Sequence, residues 1–287
     1  MHAQHLDEII LRKTETQASA EPSMEPWLNF IHKIDTATDT VSIGLVGKYV
    51  ELQDAYKSIN EALFHAATYS SQKLNIVYIH SEKVSDNNVD ELLSGLDGVI
   101  VAPGFGQRGI EGKFAALKWC REHDIPTFGI CLGMQCMVIE FARNVLGLTE
   151  ANSTEMAPRT PDNVIDLMEE QKSISHLGGT MRLGAFECVL REGSKAANAY
   201  KSTYIKERHR HRFEFNNAYR EQYEQAGMAC TGENPALHLV EVVEIPSKRW
   251  YIGTQYHPEY SSTVLSPSPI FASFIDAAIE FRNQKTK

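Results

Sequence analysis

The chain has 287 residues, 43% of them hydrophobic, and a net charge of −9: enough for one large domain with a buried core, or one domain plus an appendage. The acidic balance argues against general nucleic-acid binding, which needs a basic surface to displace counterions. Five cysteines (Cys120, Cys131, Cys136, Cys188 and Cys230) without a CxxC pair argue against a disulfide framework and a structural zinc site, so no metal is expected.

The opening MHAQHLDEIILRK lacks the apolar core of a signal peptide, and no 18-residue apolar run could span a bilayer. A cytoplasmic protein with no membrane partner is expected. Residues 14–40 read as a linker around one short helix. TETQASAEPS is polar and rich in breakers, and Pro26 suits a first helical turn. Trp27, Phe30, Ile31 and Ile34 then form an apolar stripe that needs a surface, either on this domain or outside the chain.

From Val41 strands and helices alternate. VSIGLV (41–46), LNIVYIH (74–80), GVIVA (98–102) and PTFGI (126–130) are apolar strands. Helices are expected at Tyr56–Ser70, at 114–123 and from about Met134 to Val145. This pattern predicts an α/β fold, a mostly parallel central sheet with helices on both faces. Such sheets hold their sites in loops at the carboxyl ends of strands. The second half adds β-rich segments at 181–190, 212–215, 237–245 and 250–255, then a closing helix at 269–281.

Gly129-Ile130-Cys131-Leu132-Gly133 has the form G-x-C-x-G where a strand runs into a helix. That is a nucleophile elbow with cysteine in place of serine. Cys131 would sit at a helix N-terminus, which favours thiolate, and the Leu132 N–H would face a developing oxyanion. A buried cysteine between two glycines is the bland alternative. The glycine-rich loop 103–109 after the third strand offers a second N–H. Gly104, Gly106 and Gly109 also match GxGxxG, but this is not the first βα turn, and no acidic residue ends a following strand. Among eleven histidines, His257 stands out in Gln255-Tyr256-His257-Pro258-Glu259. In an extended segment His257 and Glu259 point to the same side, so Glu259 could orient the imidazole. In isolation His-Pro-Glu is a surface turn; beside a cysteine elbow it reads as base and partner. Together these groups perform acyl transfer through a thioester on an amide, ester or peptide. The run Arg208-His209-Arg210-His211-Arg212 is a candidate anion site, with a solvated strand edge as the alternative.

The elbow, the Pro-Gly loop and the late His-Pro-Glu resemble the class I (triad-type) glutamine amidotransferase domains. Six further segments resemble CTP synthases: GLVGKYVELQDAYKSINEAL (44–63), FGICLGMQC (128–136), NSTEM (152–156), GGTMRLG (178–184), RHRHRFEFNN (208–217) and QYHPEY (255–260). The resemblance implies a flavodoxin-like fold with extra antiparallel strands in the second half. It implies that residues 41–287 are the amidotransferase domain and 1–40 the remnant of a synthetase–glutaminase connection.

It also implies Cys131 as nucleophile, His257 as base and Glu259 as its partner. The L-glutamine site would comprise Gly104, Leu132, Gly133, Met134, Gln135, Glu155 and Arg212, with Gly104 and Leu132 as the oxyanion hole. Arg212 suits the substrate carboxylate and Glu155 its ammonium. Family members usually read Pro-Gly-Gly-Phe-Gly in the loop; here Pro103 is followed by one glycine and Phe105. No cofactor is implied for this domain. ATP, UTP and Mg²⁺ would belong to a separate synthetase domain in a homotetrameric full enzyme, with GTP as allosteric effector. Nothing precedes Val41 except the linker, and no P-loop occurs, so the chain is expected to be the tail of such an enzyme. Lys48, Lys57, Phe105 and Arg108 are candidates for effector or coupling contacts. The alternatives are a glutaminase of another biosynthetic complex, a γ-glutamyl hydrolase, or a non-catalytic regulatory module.

Overall fold

The computed structural model describes residues 4–17, 23–167 and 181–285; Gly178, Gly179 and Thr180 of the GGTMRLG segment lie outside the described residues. In chain order the elements begin with α1 (Leu6–Lys13), α2 (Glu25–Thr36), β1 (Thr40–Gly47), α3 (Lys57–Tyr69), β2 (Lys73–His80) and α4 (Val89–Leu93). Next come β3 (Gly98–Val101), α5 (Ile110–Glu122), β4 (Thr127–Ile130), α6 (Leu132–Asn144), β5 (Asn152–Ser153), β6 (Asn163–Leu167) and β7 (Arg182–Leu190). The chain continues through α7 (Lys195–Tyr200), β8 (Tyr204–His211), β9 (Phe213–Phe215), α8 (Arg220–Ala226), β10 (Ala229–Glu233), β11 (Val240–Glu244), β12 (Tyr251–Thr254) and α9 (Pro269–Lys285).

The main sheet has the order β2-β1-β3-β4-β12-β11-β10-β7-β8. Its first five strands are parallel, and from β12 outward every pairing is antiparallel. The expected parallel sheet with antiparallel additions is therefore present. A small second sheet, β5-β6-β9, sits apart from it. RFEF, expected as one more strand, supplies β9 of this small sheet.

Both faces of the parallel part are covered, which explains the unbroken apolar runs. Val46, Val99 and Val101 face α5 and α6 in one core with Leu117, Met137 and Phe141. Ile43, Leu45, Ile100, Phe128 and Ile130 face the other core, with Leu63 of α3 and Phe271 and Phe274 of α9. The Phe128 ring meets Trp250 and Phe271 edge-on at centroid distances of 5.4 and 5.2 Å. Each such buried side chain is worth roughly 1.5–3 kcal/mol.

The stripe on α2 divides. Phe30 packs edge-on against Phe64 of α3 at 5.9 Å, and Lys33 Nζ donates to the Tyr69 carbonyl at 2.7 Å. Trp27, Ile31 and Ile34 remain exposed. The basic run divides too, because β8 alternates. His209 and His211 point inward, whereas Arg208 and Arg210 face solvent and Arg212 is half-buried. The run is thus not one anion-binding surface.

The two inward histidines join Arg182, Glu214 and Glu241 in a buried cluster. Arg182 Nη2 lies 2.7 Å from Glu241 Oε1, and His209 Nδ1 lies 2.7 Å from His211 Nε2. Burial, then neighbouring cationic groups, lowers His209 to about 2 and His211 to about 3. Burial raises Glu241 to about 7 and Glu214 well above its usual range. His209, His211 and Glu241 could each offer one ligand atom, all within 4.8 Å of one another, but Arg182 already pairs with that carboxylate. Among the described residues no helix is long and apolar enough to cross a membrane.

Candidate active site

Strands β3, β4 and β12 are neighbours in the parallel part of the sheet, and their carboxyl ends carry the site. At the end of β4 the chain turns directly into α6 through Cys131, whose φ of 53° and ψ of −104° no helix or strand adopts. A non-glycine residue at positive φ is strained and persists only where its surroundings enforce it. Here they do. The Cys131 N–H donates to the Thr254 carbonyl at 2.7 Å, tying the elbow to β12. A Cβ on Gly133 would stand 2.1 Å from the Val101 carbonyl oxygen, and one on Gly129 would stand 2.8 Å from the Gly133 backbone. Only glycines let α6 seat this closely on the strands.

His257 follows β12. The extended geometry expected for His-Pro-Glu is not what forms: Pro258–Ser261 is a 3₁₀ turn, and His257 precedes it at φ −111°. The turn still brings the two side chains together, with His257 Nδ1 2.8 Å from Glu259 Oε1. Both are buried, and His257 Nε2 has no hydrogen-bond partner among the described residues. Burial alone would lower the imidazole's proton affinity. The Cys131 sulfur, then Glu259, reverse that and raise His257 to about 11. Both neighbours thus favour the protonated ring.

The loop after β3 forms the facing wall. Gly104 lies against Leu132, a Cβ there standing 3.5 Å from Leu132 Cδ2, and its N–H makes no hydrogen bond among the described residues. Leu132 opens α6, so its N–H has no acceptor within the helix. Glu155 accepts from the Gly106 N–H at 3.0 Å, so the loop and Glu155 are joined. Met134 and Gln135 are buried in the first turns of α6. Gln135 Nε2 donates to the Phe213 carbonyl at 2.9 Å, which places the Arg212–Phe213 backbone beside α6.

The coupling candidates differ from free surface cations. Lys48 is buried, with Nζ on the Phe105 carbonyl. Lys57 is exposed and paired with Glu61 at 2.7 Å. Arg108 contacts Glu82 at 3.3 Å and lies 5.2 Å from the Tyr49 ring centroid. Phe105 is 45% exposed at the loop tip.

Two further residues reach this region. Gln255 is fully buried, with Nε2 3.7 Å from Cys131 Sγ and Oε1 accepting from Gln135 at 3.1 Å. It stands two positions before His257, a spacing that could have drawn notice beside the His-Pro-Glu motif. Lys113 of α5 is fully buried, donates to the Ala102 carbonyl at 2.6 Å, and is lowered by burial to about 8. Nothing in the surrounding sequence marks it.

The family model described as "Glutamine amidotransferase class-I" matches residues 51–277. The chain is 62% identical over 280 residues to a CTP synthase of Bacteroides fragilis, covering 98% of this chain and 52% of that protein. It is 57% identical over 284 residues to a CTP synthase of Porphyromonas gingivalis, covering 99% and 53%. The chain thus spans about half the length of the curated relatives it matches. Among solved structures it is similar to the glutaminase domain of Trypanosoma brucei CTPS with bound acivicin. That match has a TM-score of 0.78 at 38% identity and covers 84% of this chain and 94% of the other.

Proposed function

The chain belongs to the class I glutamine amidotransferases, with the glutaminase domains of CTP synthases as its near relatives, and we propose that it hydrolyses L-glutamine for CTP synthesis. The observation that carries this reading is the buried Cys131–His257–Glu259 constellation at the head of α6.

In the proposed reaction Cys131 attacks the glutamine carboxamide carbon. The N–H groups of Gly104 and Leu132 stabilise the oxyanion. His257 gives its proton to the departing nitrogen, ammonia leaves, and a γ-glutamyl thioester remains. His257 then takes a proton from water, hydroxide adds to the thioester carbonyl, and glutamate departs as the thiolate returns. Arg212 would clamp the substrate carboxylate and Glu155 its ammonium, while Leu132, Gly133, Met134 and Gln135 line the pocket. Residues 41–287 would form the glutaminase domain and 1–40 its tether.

The ammonia would serve a synthetase domain that amidates UTP with ATP and Mg²⁺, in a homotetramer in which GTP switches on hydrolysis. Lys48, Lys57, Phe105 and Arg108 would take part in that coupling. A switch of this kind needs two states that the effector distinguishes. The test is ammonia release by this chain alone, then with a synthetase domain, GTP, UTP and ATP. Slow hydrolysis alone and a large rise with the partner and GTP are expected. Fast hydrolysis by the chain alone, matching the activated complex, would overturn the coupling.

A further inference from the structure

We propose that Gln255 is a third member of the nucleophile's support, donating an N–H from its buried carboxamide to the Cys131 sulfur. The inference deepens the glutaminase reading and rests on Cys131 being the nucleophile.

The orientation of the amide follows from a chain of fixed donors and acceptors. The Phe213 carbonyl can only accept, so the group Gln135 presents to it at 2.9 Å must be its NH₂. The same NH₂ lies 3.1 Å from the Gln255 side chain, which must answer with its oxygen. The Gln255 NH₂ is then left facing Cys131 Sγ at 3.7 Å, within range for a sulfur acceptor. Gln255 is fully buried, and its N–H donates to the Glu241 carbonyl at 2.8 Å, so the side chain starts from a fixed backbone.

A donor aimed at sulfur favours thiolate over thiol, because a charged acceptor makes the stronger hydrogen bond. It therefore acts twice: on the resting nucleophile, and on the thiolate expelled when the thioester collapses. Two charged groups also act on this sulfur. They are His257, with Glu259 behind it, and Lys113 from α5. Gln255 adds a fixed dipole without a charge. It also links the sulfur through Gln135 to the backbone beside Arg212, so nucleophile and proposed carboxylate clamp share one hydrogen-bonded strut.

The experiment is the pH dependence of Cys131 alkylation by iodoacetamide, followed by mass spectrometry in the 287-residue chain. Gln255→Met removes the donor with little change of length. Gln255→Glu keeps the acceptor for Gln135 and replaces the donor with oxygen. In both, the midpoint of the alkylation profile should move up by about one pH unit or more, since one unit corresponds to a modest charge-assisted hydrogen bond. The shift should be larger for Gln255→Glu, whose carboxylate repels thiolate. Profiles matching wild type in folded variants would overturn the inference. Loss of fold in both variants would assign Gln255 to the scaffold and overturn it as well. If wild-type Cys131 reacts no faster than an ordinary thiol, the glutaminase reading itself fails. A reactive Cys131 with unmoved profiles sinks only the role given to Gln255.

Discussion

His257 and Glu259 are hydrogen-bonded at 2.8 Å across a single proline, so the proposed base and its proposed orienting carboxylate belong to one buried turn. Cys131, the proposed nucleophile, arrives from a different strand. Its selective reactivity is the first consequence. Burial raises Cys120, Cys136 and Cys230 to about 12 each and Cys188 further still. A glutamine-mimicking electrophile should therefore label Cys131 alone, as read by peptide mass spectrometry. Cys131→Ala should abolish both labelling and hydrolysis, lowering kcat by several orders of magnitude. Labelling spread over several cysteines would contradict the elbow assignment.

Arg212→Ala should raise KM for glutamine strongly in a protein that remains folded. A charged pair in a partly dry pocket is worth on the order of 1.5–3 kcal/mol. Arg212→Lys should rescue incompletely, because an ammonium lacks the two-pronged geometry of guanidinium. An unchanged KM in both variants would remove Arg212 from the substrate site.

Gly133→Ala should be costly, because the added carbon meets the Val101 carbonyl at 2.1 Å and backbone cannot step aside. Overpacking of this kind costs on the order of 1–3 kcal/mol, and this site should reach the upper end. Gly147→Ala has open space around it and only its positive φ of 77° to strain, at about 1 kcal/mol. Urea midpoints of the two variants rank them, and equal midpoints would contradict the close seating of α6.

Arg182→Leu should destabilise by about 3–5 kcal/mol, because it leaves Glu214 and Glu241 buried without their cation. The loss should depend on pH. Both carboxyls have folded pKa values raised by burial, Glu241 to about 7, so the folded state binds more protons than the unfolded state above about pH 4.5. The contribution of these two carboxyls to stability must then fall as pH rises toward and through 7. Without the guanidinium that window extends upward, so the variant's deficit should be larger at pH 8 than at pH 5. A deficit independent of pH would show that the carboxyls are not what Arg182 neutralises.

The parallel half of the fold was legible because Ile43, Leu45, Ile100 and Phe128 are apolar strand residues buried between two layers. The elbow was legible because its glycines are sterically required. Strand β8 was not. Its inward positions include Glu207, His209 and His211, so its alternation of buried and exposed residues is invisible to hydropathy. The same residues made the basic run look like a surface. Strands β5 and β6 escaped because they are short and pair away from the main sheet. Gln255 escaped as an uncharged residue whose role depends on which end of its amide faces the sulfur.

Strand β12 lies between β4 and β11, and it carries the Thr254 carbonyl that holds Cys131 and leads into His257. The proposed nucleophile is therefore made early and its surroundings are completed late. On the ribosome, the residues of β1 to β4 and α6 are synthesised before residues 251–259. Until that strand slides into the gap, the strained elbow lacks its tether and the sulfur lacks its His257 neighbour. Thiol reactivity at Cys131 thus reports on whether the last strand has threaded home, and a nascent or C-terminally clipped chain should be chemically quiet.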